Sequence, residues 1–221
     1  RHTILQGDWS SDVCSSDLVV TTGIQNTLIG ASAGDSLTDA DYNTAVGFDA
    51  LAADTQGSKS TAIGRSALSS QNFTTATDSH NTGIGYFAGA AITTGLGNTL
   101  VGGLAGDALT DADFNVAVGK NALSSDTLGS FNTAVGINAL ETQNFTTATN
   151  AYNTAIGALA GGAVTTGTQN TLIGGAAGDA VTCGAKTTAV GKADLSAVTY
   201  HSNNTAEAQG AIVPLTHGGD S

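Results

Sequence analysis

Carboxylates are the side chains of this sequence whose spacing comes closest to a chemical site. Three of them fall close together, at Asp35, Asp39 and Asp41, and the same arrangement recurs at Asp107, Asp111 and Asp113. Because Ca²⁺ prefers several oxygen ligands, these six residues are candidates for a calcium site. The alternative is a solvated turn in which the Asp side chains cap backbone N–H groups.

The same acids argue against catalysis. Paired carboxylates can cleave glycosides, but a catalytic site is normally unique, whereas these acids repeat along the chain. No Ser-His-Asp grouping, phosphate-binding loop or metal-ligand spacing stands out. We therefore expect a protein that is not an enzyme and needs no cofactor, with a carbohydrate-active β-helix as the catalytic alternative. Cys183 is expected to be a small buried residue.

Composition excludes other classes of protein. Only 11% of the 221 residues are charged, and 18 acidic against 6 basic residues give a formal net charge of −12. Because phosphate affinity comes mainly from Lys and Arg, nucleic acid is not an expected partner. No apolar run is long enough for a membrane-spanning helix, so we expect no membrane contact within this sequence.

A five-residue phrase, typically Asn-Thr-Ala-Val-Gly, recurs ten times between Asn26 and Gly191. The interval between the closing Gly of successive phrases is 17 in most cases and 21 in two. Residues 26–97 align without gaps to residues 98–169, with about 44 of 72 positions identical. Such regular self-similarity indicates a repeat architecture built from duplicated blocks of four coils.

A repeat of about 17 residues is too short for two helices. Thr, Val, Ile and Gly favour short strands between tight turns. The sequence therefore predicts an all-β parallel solenoid of about ten coils over residues 19–195, followed by a non-repeat extension over 196–221. We expect the opening Asn side chains to hydrogen-bond from coil to coil, and the closing Gly to adopt a positive φ.

Alternation along a strand assigns the faces of each phrase. We expect the fourth position, always Val or Ile, in the core, with the second-position Thr on the same side. The third position then points outwards, yet it is never polar, which favours burial against another chain over mere tolerance of solvent. The expected interface row comprises Leu28, Ala45, Ala62, Leu100, Ala117, Ala134, Ala155 and Leu172.

Two further features could contact a ligand. The 21-residue coils carry Gln-Asn-Phe-Thr-Thr, expected to form exposed bulge loops whose ligand contacts are Gln71, Asn72, Phe73, Gln143, Asn144 and Phe145. Aromatic residues precede the opening Asn in three consecutive coils, at Phe114, Phe131 and Tyr152. They either pack at a turn or form a strip on which sugars stack.

The phrase Asn-Thr-Ala-Val/Ile-Gly, followed by two residues and Ala-Leu as at Ala50-Leu51 and Ala122-Leu123, resembles the head repeats of trimeric autotransporter adhesins, the YadA-like heads. It is also similar to repeats of phage tail fibres. The resemblance implies a left-handed β-roll, a homotrimer, and an extracellular place on an outer-membrane-anchored bacterial fibre or a phage tail fibre. It also implies attachment to a host or environmental ligand such as a matrix protein or glycan.

Residues 1–18 do not belong to the repeat. Asp8 to Leu18 resembles a translated sequencing adapter, so we expect residues 1–18 to be an artefact rather than native sequence. For the remainder, the expected function is adhesion or fibre structure without catalysis. A passive phage-fibre or surface-layer spacer is the main alternative. An ice-binding solenoid is disfavoured, because its Thr row is expected to lie inside.

Overall fold

The computed structural model describes residues 20–195 and 202–207, and it confirms an all-β parallel solenoid. Residues 1–18 lie outside the described part of the chain. Fifteen short strands alternate with turns: β1 (Thr27–Ile29), β2 (Thr44–Val46), β3 (Gly57–Ser58), β4 (Thr61–Ile63), β5 (Thr77–Asp78), β6 (Thr82–Ile84), β7 (Thr99–Val101), β8 (Val116–Val118), β9 (Gly129–Ser130), β10 (Thr133–Val135), β11 (Thr149–Asn150), β12 (Thr154–Ile156), β13 (Thr171–Ile173), β14 (Thr188–Val190) and β15 (Thr205–Ala206).

One long sheet runs the length of the solenoid. It contains eleven strands in the order β1-β2-β4-β6-β7-β8-β10-β12-β13-β14-β15, and two-stranded sheets β3–β5 and β9–β11 lie beside the 21-residue coils. Every pairing is parallel and in register, so that Thr27 lies beside Thr44 and Leu28 beside Ala45. Each position of the phrase therefore forms a row of like side chains along the solenoid axis.

The opening Asn residues hydrogen-bond from coil to coil, as expected, and all of them except Asn26 are buried. The side-chain carbonyl of Asn98 accepts the backbone N–H of Asn115 at 3.0 Å, and its amide donates to the carbonyl of Ala112 at 2.8 Å. Asn115 repeats both contacts with Asn132 and Gly129. Because a buried amide without partners is costly, these bonds explain why most coils use Asn here.

The closing Gly residues also behave as expected. All ten have φ between +130° and +143°, a region that side-chain-bearing residues rarely adopt. A Cβ at Gly47 would lie 2.6 Å from the carbonyl oxygen of Gly64 in the next coil. The invariant Gly is therefore required both by the backbone turn and by the close approach of neighbouring coils.

The expected assignment of the strand faces is wrong. The third-position side chains lie in the core of a single chain, with Leu28 partly buried and the others fully buried, and so they form no interface between chains: Leu28, Ala45, Ala62, Leu100, Ala117, Ala134, Ala155 and Leu172. They pack with the Ala-Leu pairs that follow four of the phrases, such as Ala50 and Leu51. After the Gly turn, the chain returns over the third position, which leaves the second and fourth positions outside.

The core is narrow, and two positions of each coil fill it together: the third position of the phrase and the residue six positions on. Where the third position is Leu100, the residue six positions on is Gly106, and a Cβ there would lie 2.8 Å from a Leu100 methyl. Where the third position is Ala117, the residue six positions on is the buried Leu123. Because interiors are close-packed, large and small residues exchange places between these two positions in eight of the ten coils. In the two phrases that close a 21-residue interval, both positions are small.

The sheet extends one coil further than expected. Strand β15 pairs with β14 in parallel, with Thr188 beside Thr205 and Ala189 beside Ala206. Asn204 stands where the next copy of the phrase would open after Thr187, so a shortened phrase continues the repeat within the supposed non-repeat extension. The boundary expected at residue 195 was therefore too early, at least for this strand.

Candidate functional site

Within the described residues, the outer face of the long sheet carries an unbroken row of part-exposed apolar side chains. It consists of the second-position row, Thr in nine coils and Val116 in one, and the fourth-position row of Val and Ile. Ile29 is 53% exposed, Ile63 is 37% exposed and Val190 is 40% exposed. Neither row holds a charged residue, and ten coils at about 4.8 Å each give a strip roughly 48 Å long. We call these two rows the outer sheet face.

The acidic residues act chiefly within the coils. Asp41 accepts the backbone N–H of Ile24 at 2.7 Å, and Asp113 accepts that of Leu96 at 2.7 Å. Asp39 and Asp111 accept the hydroxyls of Thr22 and Thr94, again in the preceding coil. This is the capping arrangement weighed against calcium. Within residues 20–195 and 202–207, no three His, Cys, Asp or Glu side chains form a group that could hold a metal ion.

The expected ligand contacts of the 21-residue coils are mostly buried. Gln71 and Gln143 are 0% exposed, and Phe73 and Phe145 are 6% exposed, so these four side chains cannot reach a ligand. Only Asn72 and Asn144 of the six are exposed, together with Thr74 and the next two residues of each bulge. The expected contact surface was wrong for the Gln and Phe positions.

A buried aspartate explains why the Gln side chains turn inwards. Asp54 is 0% exposed, and its carboxylate accepts the backbone N–H groups of Gly57 and Phe73, each at 3.0 Å. The side-chain amide of Gln71 donates to the second oxygen at 2.5 Å. Asp126 makes the same three contacts in the second block. The sequence signal for this buried aspartate is Asp-Thr-x-Gly-Ser, which occurs once in each of the two blocks.

The aromatic row packs at a turn. The rings of Phe114 and Phe131 are stacked with centroids 5.2 Å apart, and those of Phe131 and Tyr152 are 5.1 Å apart. The ring of Phe131 is therefore covered on both faces. A Cβ at Gly97 would lie 2.6 Å from the Phe114 ring, so this ring covers the preceding turn. Since sugars stack on free ring faces, the geometry favours packing over a sugar-binding strip.

Among the residues that the structure describes, three titratable groups have pKa values shifted from their ordinary values. Burial raises the pKa of Asp107 and of Asp179 above the usual 3.8, and one carboxylate oxygen of each is buried without a hydrogen-bond partner. The Thr166 hydroxyl, with that of Thr165, lowers the pKa of the Cys183 thiol below 9.0. Cys183 is exposed, which corrects the expectation that it is buried.

Comparison of the chain with protein-family profiles, with curated proteins and with solved structures finds no match. Across the described ranges, no helix has the length and apolar character to cross a membrane.

Proposed function

We propose that this chain is a non-catalytic, adhesin-like head domain of an extracellular bacterial surface fibre. In this proposal, copies of the chain associate through the outer sheet face into a homotrimer. The observation that carries it is the uninterrupted, uncharged row of part-exposed Val and Ile side chains on that face. A phage tail fibre would use the same architecture, and the proposal includes that origin.

The energetics support association through this face. Burying a whole Val or Ile side chain contributes about 1.5–3 kcal/mol. Six of the ten fourth-position residues are 37–53% exposed, so removing this exposed part from water contributes on the order of 4–7 kcal/mol per chain. This gain is comparable with the estimated cost of immobilising a partner. Long exposed apolar strips are uncommon on monomers, which also supports a partner here.

Attachment would use the surfaces outside this face. The bulges of the 21-residue coils project polar side chains, including the exposed Asn72 and Asn144. A matrix protein or a glycan on a host or environmental surface is the class of ligand proposed. The exterior is acidic overall, which supports a ligand other than a dense polyanion.

Light scattering of the 221-residue chain tests the association. We expect three times the chain mass of 21.6 kDa for the parent. We expect a monomer for Val118→Lys combined with Val135→Lys, because both charges would enter the outer sheet face. The matched control is Ile137→Lys, an exposed residue in a row that already carries Lys120. A parent monomer at high concentration, or variants that remain trimeric, would contradict association through this face.

Ice binding is a second candidate, because the Thr row lies on the outside rather than in the core. A flat face of regularly spaced hydroxyl and methyl groups could order water along the solenoid. Thermal hysteresis of the purified chain at high concentration tests this function, with Thr99→Lys as the disruptive variant. Hysteresis in a monomeric parent, lost in the variant, would favour ice binding over the fibre head. Its absence from the parent would remove the candidate.

A binding assay distinguishes an adhesin from a passive spacer, because only an adhesin attaches to a ligand. We expect the labelled chain to bind to cells, matrix proteins or glycan arrays above the level of a denatured control. Trimer formation without any measurable attachment would favour the spacer.

A further inference from the structure

An arginine lies among aromatic rings on the surface of the first repeat block. Phe48, Arg65 and Tyr86 follow the closing Gly of three consecutive coils, so they stack along the solenoid axis. The guanidinium carbon of Arg65 is 5.9 Å from the Phe48 ring centroid, 5.7 Å from that of Tyr86 and 5.5 Å from that of Phe87. All three distances are within the range of cation–π attraction.

The cluster is open to solvent. Phe48 is 49% exposed and Tyr86 is 52% exposed, and Arg65 between them is also exposed. The Phe48 ring differs from the stacked row at Phe131, because its neighbour is a cation rather than another ring. The Tyr86 ring contacts both the cation and the ring of Phe87, whose centroid lies 4.6 Å away. Their outer edges and part of their faces therefore remain available beside the guanidinium.

The hydrogen-bonding capacity of Arg65 is unused within the described residues. The ion pair found there joins Lys59 to Asp78, and no side-chain hydrogen bond of Arg65 is present in this part of the chain. A guanidinium carries five N–H donors in a rigid plane, and they match a carboxylate through two parallel bonds. The rings thus hold the cation in place without neutralising its charge.

The cluster is not needed to build a coil. The second block keeps the Asn, Gly, Ala and Leu rows but has Lys120, Ile137, Ala158 and Leu159 where the first has Phe48, Arg65, Tyr86 and Phe87. All four residues change between two blocks that share about 44 of 72 positions. Rows that recur serve the fold, whereas this cluster occurs once and is dispensable for it.

We propose that Arg65, with the rings of Phe48 and Tyr86, binds an acidic sugar whose carboxylate is isolated from other charges. This site would be a ligand contact of the attachment function proposed above, and its biological role rests on that proposal. The guanidinium takes the carboxylate through a bidentate pair. The rings contact the apolar C–H face of the pyranose ring, which is similar in size to one aromatic side chain.

The charge of the molecule narrows the ligand class. A chain of net charge −12 repels dense polyanions such as nucleic acids or heavily sulfated glycans. A single carboxylate on an otherwise neutral oligosaccharide avoids most of this repulsion while still meeting the cation. An acidic peptide supplies the carboxylate but lacks the flat C–H face, so we expect the sugar to bind better.

Binding of 3′-sialyllactose, measured by calorimetry on the full chain, tests the site, with lactose as the matched neutral probe. We expect a Kd of roughly 1 mM for a contact of this size. Lactose, which lacks the carboxylated sugar, should bind at least about tenfold more weakly. Arg65→Ile should weaken sialyllactose binding by a similar factor. The variant should fold, since Ile137 occupies the same coil position in the second block.

The converse experiment transfers the four residues of the cluster to the equivalent positions of the second block. Lys120→Phe, Ile137→Arg, Ala158→Tyr and Leu159→Phe together should raise the stoichiometry from one to two sites per chain. Equal binding of lactose, unchanged binding in Arg65→Ile, or no binding of sialyllactose would overturn the site. Equal or tighter binding of N-acetyl-aspartate amide would replace the sugar with a peptide carboxylate. Attachment to cells that survives Arg65→Ile would reject this site while leaving the proposed adhesion intact.

Discussion

Asp54 shows how one buried side chain determines the shape of a 21-residue coil. Its carboxylate is fully enclosed, yet three N–H donors surround it, from Gly57, Phe73 and Gln71. Burying a charge is costly unless it is hydrogen-bonded in this way. The extra residues of the long coil are therefore anchored at their base, while only the outer part of the bulge reaches solvent.

Asp54→Ala should destabilise the chain by about 3 kcal/mol, because it leaves buried N–H donors without an acceptor. Urea denaturation followed by circular dichroism measures the change in the free energy of unfolding. The matched control is Asp49→Asn, which introduces the residue found at the same position of the second block, Asn121. A loss below about 0.5 kcal/mol for Asp54→Ala would contradict the anchoring role.

Cys183 is expected to react as a thiolate at lower pH than an ordinary thiol. The Thr166 and Thr165 hydroxyls stabilise the charged form and lower its pKa, and the residue is exposed. We expect the pH at half-maximal alkylation by iodoacetamide to lie below 9.0 in the folded chain and to rise on Thr166→Val. Cys14→Ser should be present throughout, so that only Cys183 reports. An identical pH profile in urea-unfolded chain would count against the effect of the threonines.

At the scale of the coil, the sequence predicted the period, the register, the Asn row and the Gly turns. The prediction of which strand positions face the core was wrong. All three positions carry residue types that can be buried, and only the return path of the chain decides which of them is. Ala117 and Leu123 are both fully buried in the same narrow core, a relation visible in the sequence only once that return path is known. Gln71 looked like a surface residue because its partner Asp54 is distant in sequence.

Gly119→Ala should be among the most damaging single changes in the strand turns. Gly119 has φ of +134°, and a Cβ there would lie 2.5 Å from the carbonyl oxygen of Gly136. We expect a loss of at least about 2 kcal/mol, from backbone strain together with displacement of the next coil. Thermal unfolding compares it with Gly175→Ala, where a Cβ meets nothing within 4 Å. Equal losses in the two variants would refute the role of coil contact.

At the scale of the whole molecule, stacked coils contact mainly their neighbours, so stability accumulates along the array. The acidic groups act on this array in two ways. Exposed acidic side chains contribute to the net charge of −12, among them Asp39, Asp78, Asp111 and Glu207. Asp107 and Asp179 lie at the same position of successive repeat blocks, and each has a buried carboxylate oxygen without a hydrogen-bond partner. The sequence analysis placed Asp107 in the repeated acidic turn, but residue spacing alone does not show that one of its carboxylate oxygens faces inwards.

The raised pKa values of Asp107 and Asp179 predict a particular pH dependence. Between the unfolded value near 3.8 and the higher folded value, the folded chain binds more protons than the unfolded chain. These two groups therefore destabilise the folded chain at neutral pH. This penalty decreases as the pH falls through that window. Asp107→Asn combined with Asp179→Asn should raise stability at pH 7 and flatten the profile between pH 7 and the unfolded value. Asp35→Asn, at the same position of the first coil, is the control. A double variant less stable than the parent at pH 7, with an unchanged profile, would show that burial does not penalise these carboxylates.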